Sequence, residues 1–432
     1  MADTRLPDPQ PIPTASDASW LDKLGPGLVT GAADDDPSGI ATYSQAGAQF
    51  GYGLLWSLLL TFPLMVGIQM ISARIGRVSG HGLATNVRRH YPAWLLYGLV
   101  SLLVLANTIN IAADISAMAD ALRLLVGGSR HLYVVFFGVL SLLLQVFIPY
   151  KRYVRLLKWL TLVLLAYVAT VFTVKIPWAT VLQHTFLPHL QWQQDYITTT
   201  VAVFGTTISP YLFFWQASQE VEEMHAQPRA RALKDTLAQA GDQLRRIKLD
   251  TLIGMAFSNL VAFSIVLTTA LTLHAHGVTD IQTSAQAATA LRPIAGEFAF
   301  LLFTVGIVGT GLLAVPVLAG SAAYAVAGTF HWKSSLESKP MAAKGFYGII
   351  AMATLVGVGM GLTSIDPIKA LFWSAVLNGV ISLPIMVVMM LMAVRSDIMG
   401  ALVLGAGLKA LGWLCTGVMA VAVLAMLVTM AM

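Results

Sequence analysis

The chain has 432 residues, of which 57% are hydrophobic and only 11% charged, whereas soluble domains carry about 25% charged residues; a soluble globular protein is excluded. Its net charge of +5 does not point to nucleic acid, because in a membrane protein surplus Lys and Arg collect in the cytoplasmic loops. The single cysteine, Cys415, lies in an apolar run, which rules out an intrachain disulfide and a CxxC metal site and leaves inert packing as its role.

The first 20 residues, MADTRLPDPQPIPTASDASW, are rich in Pro and polar residues and lack an apolar h-region, so they read as a disordered cytoplasmic tail with no cleavable signal peptide. From residue 21 to 432 the pattern is one transmembrane domain. Apolar runs punctuated by charge and turn residues predict eleven helical spans, at about 25–47, 52–73, 94–124, 132–149, 156–175, 198–219, 250–274, 297–329, 344–363, 368–393 and 404–431. The polar stretch EVEEMHAQPRARALKDTLAQAGDQLRRIKLD at 220–250 mixes both charge signs and reads as a solvated cytoplasmic loop with a short surface helix.

With the N-terminus inside, only Arg123, Arg130, Lys175, Arg292 and Lys369 of the 26 basic residues fall on the outer side. So lopsided a split supports the span count and predicts an N-in, C-out orientation in a bacterial-type inner membrane.

Two spans are interrupted. The first carries GAADDDPSGIATYS at 31–44, with Asp34, Asp35 and Asp36 followed by Pro37, Ser38 and Gly39. The sixth carries VAVFGTTISPYLFFWQAS at 201–218, with Gly205, Thr206, Thr207, Ser209 and Pro210 at mid-depth. Proline removes a backbone donor and clashes with the preceding turn, so each site frees carbonyls that need a partner where there is no water. A carboxylate at mid-bilayer costs a few kcal/mol and marks a functional site. Interruptions at corresponding positions of two halves predict an inverted-repeat transporter with its site at the midplane. The halves are expected at about 25–175 and 198–393, with an extra helix at about 404–431.

The stretch GPGLVTGAADDDPSGIATYSQAGAQFGYGLLW at 25–56 resembles the first span of the Nramp divalent-metal transporters, and FGTTISPYLFFWQAS resembles their sixth. The resemblance covers most of the chain in span order. It implies an all-α LeuT-type fold, two inverted repeats of five helices plus one. The sequence departs from the family in its ligands: Asp36, Pro37, Ser38 and Gly39 stand where proton-coupled members have Asp-Pro-Gly-Asn, and Ser209, Pro210 and Tyr211 replace Met-Pro-His. Of the side-chain metal shell only Asp36 survives.

Oxygen donors suit magnesium, manganese and calcium, while a thioether biases toward softer ions. Magnesium keeps several waters while bound through one or two carboxylates, and exchanging Asn and Met for Gly39 and Ser209 is expected to enlarge the cavity for them. The pattern resembles the Nramp-related magnesium transporters. Asp36 is then the expected direct ligand. Thr206 and Ser209, with carbonyls freed around Ala33 and Thr206, would contact the ion or its waters beside Gly39, and Asn378 would supply an amide from the tenth span. Asp34 and Asp35 point elsewhere, as helical residues about 100° apart must; they are expected to line the inner vestibule or to be solvated acids at its mouth. Together with Ser38, Tyr211 and Asp114 they mark an access path.

Proton-coupled members carry an Asp and a Glu one turn apart on span three, a histidine after the sixth-span proline and arginine on span nine. Here Asp114 is followed by Ala117, Tyr211 takes the histidine position, and no basic residue lies between Gly345 and Ser364. Uptake uncoupled from protons follows. The alternatives are a proton-coupled manganese or iron importer and a sodium-coupled organic-solute carrier, whose carboxylate substrate three aspartates would repel. An enzyme is disfavoured, since no HExxH, GxSxG or paired catalytic acids occur, and a receptor would need a signalling domain. No cofactor or nucleic-acid partner is expected; the ion is cargo, the lipid bilayer is the solvent, and a monomer is compatible with the pattern.

Overall fold

A computed structural model describes residues 26–148, 162–226, 230–363 and 365–432. The tail at 1–20 and the first part of the fifth predicted span lie outside the described residues, which form helices and turns with no strand. The first span is two helices, α1 (Pro26–Asp34) and α2 (Pro37–Phe50). They are followed by α3 (Leu55–Ser79), α4 (Leu83–His90), α5 (Ala93–Val126), α6 (Arg130–Phe147), α7 (Leu165–Thr173) and α8 (Trp178–Phe186). The sixth span is likewise double, α9 (Gln194–Thr207) and α10 (Pro210–Ala226). After it come α11 (Ala240–Thr272), α12 (Ala299–Phe330), α13 (Lys344–Gly361), α14 (Pro367–Ala393) and α15 (Ala406–Ala431). Among the described residues nine helices, counting Gln194–Ala226 as one, are long and apolar enough to cross a membrane. The divided first span and the short apolar segment Leu162–Thr173 occupy the two remaining predicted positions.

Local chemistry sets the breaks. Asp36 is the N-cap of α2, extended at φ −69° and ψ 170°, and its side chain accepts from the Gly39 amide with Pro37 at the first helical position. This is the arrangement that starts a helix most firmly, because proline has no amide to leave orphaned. Asp366 and Pro367 start α14 in the same way.

The halves interlock. The half-helix α1 lies along α11 so closely that a Cβ on Gly31 would overlap the Gly254 backbone, and a Cβ on Gly76 of α3 would overlap the backbone of Ala217 in α10. Each broken helix therefore packs on the second helix of the opposite half. α5 runs through the middle against α12, α13 and α14.

Basic residues gather at one end, which we call the basic end. There Arg88 bonds the Gly328 carbonyl, Arg395 bridges Asp397 at 2.6 Å, and Arg89 lies 2.6 Å from His81 Nε2. Burial, and then Arg89, push the pKa of the His81 imidazole down to about 4. A cavity of about 380 Å³ beside His81, Ser218, Glu222 and His225 opens at this end without reaching the breaks.

Of the stretch 220–250, the described residues between the two helices are mostly exposed or half-buried, as expected, but its ends are helical and partly buried. α10 continues to Ala226 and α11 begins at Ala240, and Glu220, with no exposed side-chain surface, pairs with Arg246. Charge runs read as solvent-facing when their partners lie on another helix. The short amphipathic α4 and the nine-residue α8 have no counterpart among the predicted spans, being too brief for a spanning-length hydropathy signal.

Candidate functional site

The two breaks meet. Asp36 is 2% exposed, and its carboxylate collects donors from three elements. Oδ1 accepts from the Gly39 amide at 2.7 Å, and Oδ2 accepts from Asn110 Nδ2 on α5 at 3.2 Å. The Tyr211 hydroxyl on α10 stands 3.3 Å from Oδ2 and 3.0 Å from the Ala33 carbonyl. It has one proton to donate between these acceptors. Asn110 is in turn fixed by Ser374 on α14, whose hydroxyl donates to its Oδ1 at 2.7 Å. The Ser38 backbone amide also hydrogen-bonds this carboxylate, so Asp36 is held by the start of α2, by α5 and by α10 together.

Other predicted residues fall around this centre. The Ser209 hydroxyl turns back on its own helix, 2.8 Å from the Gly205 carbonyl and 2.7 Å from that of Thr206. The carbonyls expected to be free at Ala33 and Thr206 thus already have hydroxyl neighbours. The expected enlargement at Gly39 is not there: a Cβ would stand 3.1 Å from Thr206 Oγ1, 3.2 Å from the Asp34 carbonyl and 3.4 Å from the Tyr43 ring. Neighbouring side chains have closed the space.

Asn378 lies one helical turn beyond Ser374 on α14 and Asp114 one turn beyond Asn110 on α5, which puts each on the same face as its partner at the site. Both are buried, and neither Asn378 Oδ1 nor either Asp114 oxygen has a hydrogen-bond partner; the same holds for the hydroxyls of Ser38 and Thr42 on α2. Orphaned buried oxygens on three elements that meet at a carboxylate are an arrangement that favours a cation. All of these donors are oxygen. No group of three or more His, Cys, Asp and Glu side chains among the described residues is spaced to hold a metal ion, so a cage of charged ligands is not how these residues would bind one.

Asp34 and Asp35 are neither solvated nor lining a vestibule. They are 0% and 1% exposed, and both face the Ser258 hydroxyl on α11, Asp34 Oδ2 at 2.5 Å and Asp35 Oδ1 at 3.1 Å. The sequence reading missed Asn110, Ser374 and Ser258. For Asn110 there was a signal, an amide four residues before Asp114 in an apolar run; for the two serines there was none, since serine is common in membrane helices as a backbone-bonding residue.

Asn110→Ala strips one donor from Asp36 and the acceptor from Ser374. The expected result is a loss of about 1–3 kcal/mol, the cost of leaving buried polar groups unsatisfied, measured as a lower unfolding temperature of the purified protein. A variant as stable as the parent would mean that Asn110 does not hold Asp36.

The family model described as Nramp, natural resistance-associated macrophage protein-like, matches residues 27–429. Among curated proteins the chain is similar to the divalent metal cation transporters MntH of Caldanaerobacter subterraneus subsp. tengcongensis, with 24% identity over 83% of this chain and 81% of that one, and of Acidiphilium cryptum, with 26% over 90% and 86%. Among solved structures it superposes on an Eremococcus coleocola manganese transporter with a TM-score of 0.73 at 18% identity, covering 97% of this chain and 88% of that one. MhsT in complex with L-phenylalanine gives 0.56 at 12% identity over 96% and 98%. These likenesses establish the expected LeuT-type fold, with two inverted repeats of five helices and an eleventh appended.

Proposed function

The chain belongs to the Nramp family, and from that premise we propose that it carries partly hydrated magnesium or manganese across the membrane by alternating access, without moving protons. The observation that carries the reading is the oxygen set around Asp36: one buried carboxylate where the two breaks meet, with the buried oxygens of Ser38, Thr42, Asp114 and Asn378, which have no hydrogen-bond partner, on the elements around it. Ser209 stands where other members of the family carry a thioether. Hard oxygen ligands in that number suit an ion that keeps part of its water shell.

Asp36 binds the ion directly, while Ala33, Gly39, Thr206, Ser209 and Asn378 surround the ion and its waters. The relatives named for divalent metal transport support the substrate class. The basic end faces the cytoplasm, as the bias of Lys and Arg requires, so that the N-terminus is inside and the C-terminus outside. Purified protein in liposomes loaded with a magnesium-sensitive dye tests the function; the absence of flux in either direction would sink it.

The uncoupled mechanism rests on what stands where a relay would be. The Tyr211 hydroxyl is spent on Ala33 and Asp36, Ala117 follows Asp114, and α13 carries no basic residue after Lys344. Transport then runs on the ion's own gradient and on a membrane potential worth about 2.3 kcal/mol per charge at 100 mV, or about twice that for a divalent ion. The expected result is metal uptake with no pH change inside proteoliposomes under a potassium-valinomycin clamp. Metal-dependent acidification that persists under the clamp would instead establish proton coupling, the second reading, for which Asp114 speaks as a buried acid with neither oxygen hydrogen-bonded.

A further inference from the structure

One ridge of α11 carries Arg246, Asp250, Gly254 and Ser258, four residues apart, along about 18 Å of helix. Every member grips one of the two half-helices that run from the breaks to the basic end. Arg246 holds α10 through Glu220 at 2.5 Å and Glu223 at 3.0 Å. Asp250 accepts from the Gly27 amide in the first turn of α1 at 2.6 Å. The Gly254 backbone lies where a Cβ on Gly31 would be, and Ser258 reaches Asp34 at the end of α1 and Asp35 just after it. α1 is thus bound at its start, middle and end, and α10 at its end, all to one face of one helix.

The contacts on the far side of Asp36 have a different character. There Ile40, Ala117, Phe303, Ile307 and Leu371 close a small apolar gap under the short helix Ser284–Thr289.

We propose that this ridge is the latch of the gate at the basic end: α1 and α10 are released together when α11 lets go of both, and Asp34 and Asp35 serve this latch while Asp36 serves the ion. The proposal rests on the transporter reading, in which the site must open to one end at a time by rocking of elements around it. The break at Asp35 and Asp36 is the hinge, for it lets α1 swing while α2 stays. It also explains why three aspartates stand in a row. A single acid would hold the ion, and two more turned toward α11 tie the ion-binding loop to the gate.

The test uses full-length detergent-purified protein carrying Cys415→Ala and one reporter cysteine, without added metal. Ala32→Cys reports on α1, where Ala32 is 5% exposed, and Ala287→Cys reports on the far side, where Ala287 is 2% exposed. Asp250→Ala, Ser258→Ala and Arg246→Glu are each expected to speed maleimide labelling at position 32 by about tenfold or more and to leave position 287 unchanged or slower. Pairing Arg246→Glu with Glu220→Arg is expected to bring position 32 back to within about threefold of the parent. Equal labelling at 32 in parent and variants overturns the latch. So does acceleration at both reporters, which would mean general loosening. Ser258→Ala, which removes one oxygen only, carries the test where a charge variant does not fold. Because no ion is present, a protein that opens as expected yet transports nothing would refute the transport reading and leave the latch standing.

Discussion

Asp36→Asn is expected to reduce metal uptake in proteoliposomes to the level of empty vesicles while the protein remains folded. The amide keeps an oxygen that can accept from the Gly39 amide, as Asp36 does at 2.7 Å, so the cap of α2 survives; the charge is lost, and so is the acceptor for Asn110 Nδ2, which would meet an NH2 group in place of Oδ2. Asp36→Ala loses the cap as well, at a cost of about 1 kcal/mol, partly offset because an unpaired carboxylate no longer has to be held away from water. The two variants should therefore be equally inactive but differ in unfolding temperature, the asparagine variant being the more stable. Uptake in Asp36→Asn at more than about a tenth of the parental rate would show that the carboxylate is a helix cap and that the ion is bound elsewhere.

The second large effect concerns ion choice. Ser209→Met is expected to raise binding of manganese and cadmium relative to magnesium by about tenfold or more, measured by isothermal titration of the four ions magnesium, manganese, calcium and cadmium. Two causes act together. A thioether favours softer ions, and loss of the hydroxyl frees the carbonyls of Gly205 and Thr206, which Ser209 now occupies at 2.8 and 2.7 Å. Adding Gly39→Asn should help only if Thr206 is shortened too. In the parent background its Cβ would press on Thr206 Oγ1 at 3.1 Å, so Gly39→Asn alone is expected to lower the yield of folded protein. With Thr206→Ala that loss should be relieved in part, since the Asp34 carbonyl at 3.2 Å and the Tyr43 ring at 3.4 Å still border the position. An ion ranking unchanged by Ser209→Met would place the site away from the second break.

The latch bears on both results. Since α1 carries Asp34 and Asp35 against Ser258 at its end and Asp36 follows directly, a change at the ion is transmitted to the gate along two residues of chain. Substitutions at Asp34 and Asp35 should accordingly alter the rate of opening more than the choice of ion.

Much of this protein is written locally. Hydropathy along the chain marks the helices, because in lipid every backbone group must bond within its own segment and a span needs about 20 apolar residues. The broken helices are visible as Asp-Pro-Ser-Gly and Ile-Ser-Pro, since the conformational limits of proline act on its neighbours alone. Asp36 is legible for the same reason: a carboxylate in an apolar run is costly wherever that run folds. What the sequence left undecided is which oxygen meets which. Asp36 and Asn110 are 74 positions apart, and Asp34 and Ser258 are 224 apart. Whether Gly39 leaves a hole depends on Thr206 and Tyr43 moving in to fill it, and whether Glu220 is solvated depends on Arg246 reaching it from another helix. Helix formation is settled by neighbours in the chain, but hydrogen-bond partners and packing space are settled by which helix faces come together, and only the folded bundle fixes those.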